Sequence, residues 1–159
     1  MKLNRMSVAA LALALVGAGA VAPRAFASPP SLFSATQLVK ADFNDTVRLS
    51  NDGIKFQTRD RTDVVVQKLV IPPGGTTGWH HHPGITILAV ESGSATFWDS
   101  HCRQTTYGPG SQKNGAVFTE SGDRAGQITS TGGATIYATF VSPNEADFRI
   151  EDEPPRCAK

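Results

Sequence analysis

Two cysteines, two tyrosines and two tryptophans are all that the 159 residues contain of those types, and neither sign of charge dominates, with 15 Lys and Arg against 14 Asp and Glu. Balanced charge lacks the electrostatic footprint of a nucleic-acid binder, so neither DNA nor RNA is expected as a partner. Two cysteines without Cys-x-x-Cys spacing do not make a redox motif or a thiolate metal cluster. No Ser-His-Asp order, paired carboxylates or thiol-imidazole arrangement stands out at a spacing that defends a nucleophile. The length suits one compact domain and excludes a multidomain enzyme.

One apolar run is present, and it reads as an address. Lys2 and Arg5 precede Val8 to Val21, which is followed by Pro23 and Ala25-Phe26-Ala27. That is the pattern of a secretory signal peptide with a small-residue cleavage site after Ala27. The run is shorter than the roughly 20 residues a spanning helix needs, so no membrane association is expected after cleavage. Residues 1–27 are therefore assigned as signal peptide, and the mature chain as secreted or periplasmic. Loss of Lys2, Arg5 and Arg24 leaves 12 basic residues against 14 acidic ones. On the oxidising side of a membrane, Cys102 and Cys157 are expected to pair. A loop of that length corresponds to roughly 4 kcal/mol in the chain-entropy picture.

The remainder is punctuated as an all-β domain. Residues 28–40 read as a linker that opens Ser-Pro-Pro-Ser, with the only candidate helical turn at Ser34 to Ala41; residues 41–159 form the domain. Val47/Leu49 and Ile54/Phe56 alternate with polar residues around Asn51-Asp52-Gly53, the pattern of a hairpin. Further strands are expected at 64–71, 85–91, 95–98, 116–119, 127–130, 134–141 and 148–150, with corners such as Pro72-Pro73-Gly74-Gly75 and Gly108-Pro109-Gly110. Many short strands with Gly and Pro corners form a sandwich or a barrel, and a jelly roll limits the exposed edges. Gly74 to Gly78 lacks a following Gly-Lys-Ser/Thr and is a corner rather than a phosphate cradle.

Three of the four histidines are consecutive, His80-His81-His82. In a strand, His80 and His82 share a face and His81 points away, so two imidazoles are available to a metal. The spacing Gly74, His80, His82, Gly93, with Pro83-Gly84 after the second histidine, resembles the first motif of the cupins. Where that motif has its glutamate ligand this chain has Thr86. Aligned to the second motif, Glu120-Ser121-Gly122 takes the place of Pro-x-Gly, Ala125 that of the histidine ligand and Thr129 that of the asparagine, so that only Gly122 is kept.

The resemblance implies a cupin-type jelly-roll barrel whose mouth holds one divalent ion of zinc, copper, iron, manganese or nickel. It also supports the Cys102–Cys157 pairing and implies a homodimer formed through the sheets. His80 and His82 are the expected metal ligands, with Thr86 and Ala125 as substituted ligand positions. Glu120 and Asp123, near the missing second-motif ligand, and Gln112, Gln127 and His101 are the residues that could fill the ligand set, and each is expected instead to be a solvated surface group. Glu91, five steps from Thr86, falls on the opposite face. The aromatics Trp79, Phe97, Trp98, Phe118, Tyr137 and Phe140 read as core or wall. The expected function is an exported single-domain cupin that binds a small molecule in its barrel beside an incomplete, weak metal site. The alternative is a metal-dependent cupin enzyme of the dioxygenase, isomerase or decarboxylase type using His80 and His82.

Overall fold

The computed structural model describes residues 29–159, so the expected leader lies outside the described residues. In chain order the strands are β1 (Ser34–Phe43), β2 (Arg48–Asn51), β3 (Ile54–Gln57), β4 (Thr62–Ile71), β5 (Gly75–Thr76), β6 (His80–His81), β7 (Ile85–Gly93), β8 (Ala95–Trp98), β9 (Gln104–Tyr107), β10 (Val117–Ser121), β11 (Gln127–Ser130), β12 (Ala134–Pro143) and β13 (Ile150–Glu151). A single 3-10 turn, Arg156–Ala158, follows.

Two sheets carry the domain. One has the order β1-β4-β12-β7-β10 and the other β5-β11-β8-β9, while β13 pairs with β6 and β2 with β3. This is an all-β jelly-roll arrangement; among the described residues the strands do not join in one closed hydrogen-bonded ring. Strict alternation builds its inner wall. Val65, Gln67, Leu69 and Ile71 of β4, Ile136, Ala138 and Phe140 of β12, and Thr86, Leu88 and Val90 of β7 are all buried, as period-2 geometry requires for one face of a sheet. Each fully buried Leu or Ile contributes about 1.5–3 kcal/mol by leaving water. Ile128 of β11, facing them from the second sheet, joins the same core.

The hairpin forms as expected, with Arg48 opposite Gln57 and Asn51 opposite Ile54. Its two central residues, Asp52 and Gly53, both have positive φ, 45° and 84°, as the right-handed twist of a two-residue hairpin demands.

The linker expectation fails from Ser34 onward, and so does the helical turn at Ser34 to Ala41. That stretch is β1, paired antiparallel with β4 from Ser34 opposite Val70 to Phe43 opposite Thr62, with a bulge between Gln37 and Val39. The backbone ladder of β4 and the 2.9 Å ion pair of Lys40 Nζ with Asp63 Oδ2 hold it. An exposed edge strand buries no alternate face, so the periodic signal is missing. The strand expected at 148–150 is reduced to Ile150–Glu151, and β9 was not anticipated.

The two cysteines are bonded, joining the turn after β8 to the C-terminal 3-10 turn, with Cα atoms 6.2 Å apart.

Candidate functional site

His80 is fixed first by backbone. Its N–H donates to the Gly126 carbonyl at 2.9 Å and its carbonyl accepts from the Gly126 N–H at 2.8 Å. A Cβ at Gly126 would lie 2.7 Å from Cε2 of Phe97, so any larger residue there displaces that ring. His80 and His82 share a face, as expected, with ring centroids 4.9 Å apart and nearly perpendicular. His81 points away and meets Asp152 Oδ2 through Nδ1 at 2.7 Å.

Both inward imidazoles are oriented by carbonyls. The Nδ1 of His80 contacts the Gly78 carbonyl at 2.9 Å, and that of His82 contacts the Phe148 carbonyl. A carbonyl only accepts, so in each ring Nδ1 carries the hydrogen and, in the neutral ring, Nε2 presents a lone pair. Both lone pairs face one carboxylate. Glu120 Oε2 lies 3.1 Å from His82 Nε2 and 4.0 Å from His80 Nε2.

Glu120 is thus not the solvated group the sequence reading made it. It is 8% exposed, and its Oε1 has no hydrogen-bond partner. The physical reason is register: on β10, Glu120 stands directly opposite Thr86 of β7, so the two side chains share the inner face. The carboxylate missing at Thr86 is supplied by its cross-strand neighbour. One signal was available in the sequence, because Phe118 reads as core and a strand continued two residues further turns Glu120 to the same side. Thr86 itself is 1% exposed, and its hydroxyl also lacks a partner.

The donor atoms of His80, His82 and Glu120 all lie within 4.8 Å of one another, a group that can hold a metal ion. Burial pushes the His80 imidazolium pKa down to about 4, with Glu120 opposing and Arg149 reinforcing the shift. Near neutral pH the His80 ring is therefore uncharged and its Nε2 is free to donate.

Two cavities meet at this group. The mouth, of about 180 Å³, is lined by all three consecutive histidines, with Arg103 and Arg124 at its rim. Behind it, a chamber of about 160 Å³ is walled by Leu69, Leu88, Ile128, Phe140 and Phe148, with Gln67 as a buried amide. His82 and Glu120 line both cavities. Ala125 lines the mouth without offering a donor. His101 sits at the rim and is exposed, Gln127 accepts from Thr76 Oγ1 at 3.1 Å, and Gln112, Asp123 and Glu91 are exposed away from the three donors. Thr129 accepts from Trp98 Nε1 at 2.9 Å rather than facing the histidines.

Solved structures carry the same architecture. A cupin-2 domain from Rhodospirillum rubrum superposes with a TM-score of 0.52 at 13% identity, covering 82% of this chain and 71% of that one. The fold is that of the cupins. An uncharacterised double-stranded β-helix protein of Klebsiella pneumoniae follows at TM-score 0.51 and 17% identity over 79% of this chain and 86% of that one. The DMSP lyase DddQ of Ruegeria pomeroyi has TM-score 0.52 and 13% identity over 77% of this chain, which spans only 52% of the lyase. No protein-family profile matches the chain. No curated protein matches it in sequence. The cupin architecture is therefore shown by shape, and the chemistry has to be argued from the side chains present.

These residues form a donor set that fits a divalent metal ion. Two imidazole Nε2 atoms and a buried carboxylate converge, and Glu120 Oε1 and Thr86 Oγ1 are left unsatisfied nearby. A buried carboxylate oxygen without a partner is costly unless a cation or a donor lies against it.

Proposed function

We propose that this chain is a metal-dependent cupin that holds one divalent transition metal on His80, His82 and Glu120 and binds a small organic molecule across the boundary between mouth and chamber. The observation that carries the reading is the convergence, within 4.8 Å of one another, of one buried carboxylate and two imidazoles that are each locked by a carbonyl at Nδ1. Ligating histidines typically donate their other N–H in this way. Two histidines and one carboxylate leave coordination positions open, the form of catalytic rather than structural sites. The enzyme reading is therefore favoured over a pure binding module.

When bound, such a metal supplies Lewis-acid polarisation of an oxygen group on the ligand. The chain's residues do the rest. The apolar walls of Leu69, Leu88, Ile128 and Phe140 exclude water from the chamber, and a cavity of about this size accommodates a benzene-sized group. Arg124 and Arg103 at the mouth favour an anionic or strongly polar head, although Arg103 is already paired with Asp99. The ligand expected is thus small, with one apolar group and an oxygen-bearing end. Export to an oxidising compartment belongs to the same proposal, supported by the leader pattern and by the paired cysteines.

Elemental analysis of dialysed protein tests the metal. Near one equivalent is expected in the wild type and less than a tenth of that in the His80→Ala/His82→Ala double variant. A wild type that retains none after loading with zinc, iron(II) or manganese would overturn the reading.

A further inference from the structure

The C-terminal segment makes a denser set of contacts to the histidine run than its length suggests. The Phe148 carbonyl accepts from His82 Nδ1–H. Arg149 Nη2 donates to the Thr77 carbonyl at 2.6 Å. Ile150 pairs with His81 and Glu151 with His80 in the β13–β6 ladder. The Asp152 N–H donates to the Trp79 carbonyl at 3.0 Å, and its carboxylate holds His81 at 2.7 Å. The Phe148 ring lies 5.1 Å from Phe140, which in turn lies 5.1 Å from the His82 ring. From Thr77 to His82, every residue but Gly78 is touched by residues 148–152.

Beyond Asp152 the disulfide is the main tie of that segment to the rest of the fold. Its ladder is two residues long, and an isolated pairing of that size is marginal in water. The residues beyond Glu151 are half-buried or exposed, and none of them joins the core. What closes the segment is the bond from Cys157 to Cys102, in the turn from Asp99 to Arg103 at the rim of the mouth. That turn is itself set by the Cys102 N–H to the Asp99 carbonyl at 2.8 Å and by the Asp99–Arg103 pair. Cys102 has φ 58°, a left-handed conformation unusual for a residue with a Cβ. Cys157 is exposed and therefore open to thiol exchange.

We propose that residues 148–157 form a clasp that positions the two metal-facing imidazoles and that the Cys102–Cys157 bond is its latch, so that the site assembles fully only in the oxidised protein. The inference rests on the metal reading above and adds its control. Opening the latch is a two-electron exchange: a dithiol donates two electrons and two protons, the Cys102–Cys157 bond becomes two thiols, and the dithiol leaves as its own disulfide. The Phe148 carbonyl is then free to leave His82, whose ring is no longer held with Nε2 towards Glu120. Phe148 is a positioning residue, since its carbonyl acts on a ligand and not on a substrate, and Asp152 supports it by anchoring the neighbouring Trp79 and His81. The consequence is a site that does not close in a reducing compartment and closes once the chain is oxidised.

The test compares wild type with the Cys102→Ser/Cys157→Ser variant, which removes the latch without adding thiols or a chelating reductant. Cobalt(II) titration followed by visible absorption reads the metal site. The variant is expected to bind about 10–100-fold more weakly, the usual cost of losing an outer partner of a ligating histidine; affinity unchanged within threefold would overturn the proposal. A second readout needs no metal: the His82 Nδ1–H resonance should exchange slowly with water in the oxidised wild type and be lost in the variant, while the Ile136 amide stays protected in both. Persistence of that resonance in the variant overturns the clasp even if cobalt binding behaves as expected. Should wild type bind no cobalt, the metal reading fails by itself and the His82 resonance still decides the clasp. Asp152→Ala, with the disulfide intact, covers the case of a variant that does not fold: a several-fold loss of cobalt affinity is expected, and no loss would count against the proposal.

Discussion

The five-stranded sheet and the histidine region beside it are built by opposite rules. In the sheet, β4, β12 and β7 are long, in register over many residues and sealed mostly by apolar side chains. Around His80 and His82 the strands are two residues long, the buried groups are polar, and orientation comes from single carbonyls, a ring packed against Gly126, and a covalent link. The first region supplies stability and the second uses it. Two imidazoles and a carboxylate are held buried together there at a cost that a well-packed wall offsets.

If the division is real, substitutions should separate into those that unfold the protein and those that empty its site. The largest effect is expected at the ligands: His80→Ala/His82→Ala should weaken metal binding by more than about a thousandfold by losing two of three donors. The same variant should lower the urea midpoint of the metal-free protein by far less than it lowers metal affinity, a loss that comes from the Gly78 and Phe148 carbonyls left without their ring partners. Next comes Ile136→Ala, in a side chain with 0% exposure, with an expected loss of about 2–5 kcal/mol in urea unfolding and wild-type cobalt affinity in the fraction that remains folded. A drop in affinity as large as that of the histidine variant would dissolve the distinction between wall and site.

Asp63 sits on the wall side and gives a pH signature. The hydrogen bonds from Lys40 and then Asn144 hold its carboxyl below the usual carboxylate range, against the opposing effect of burial. Its contribution is therefore present above the unfolded value near pH 4 and is lost as pH falls through the lower, folded value. Unfolding measured from pH 7 to pH 2 should show wild type losing more stability on acidification than Asp63→Asn; parallel curves would remove Asp63 from the account. The smallest effect is the most diagnostic. Glu120→Leu should stabilise the metal-free protein by about 1 kcal/mol, because it removes a buried carboxylate oxygen with no partner, while metal binding is lost. A destabilised variant would mean that the carboxylate is satisfied without a cation.

The same contrast decides what could be read from sequence. Val65 to Ile71 and Ala134 to Val141 announce themselves because one face is buried, and His80 and His82 follow from the same period of two. Asp52-Gly53 specifies its turn chemically. β1 could not be read, since Leu38, Val39 and Phe43 remain exposed on an edge strand and its pairing is a property of β4. Glu120 was legible only to a reader who extended β10 beyond Thr119, because its role depends on which strand lies beside Thr86. Of the clasp only a short strand was legible, at 148–150: Phe148 acts through its carbonyl and Asp152 through contacts to Trp79 and His81, none of which the residue types announce.

The central claim is that Glu120 has replaced Thr86 as the anionic partner of His80 and His82. Anomalous diffraction at a metal edge, on crystals grown with zinc or cobalt(II), tests it most directly. The account expects one peak about 2.0–2.2 Å from His80 Nε2, His82 Nε2 and a Glu120 carboxylate oxygen together. A peak bound to the histidines with Glu120 turned away, or no peak at these residues, would contradict it.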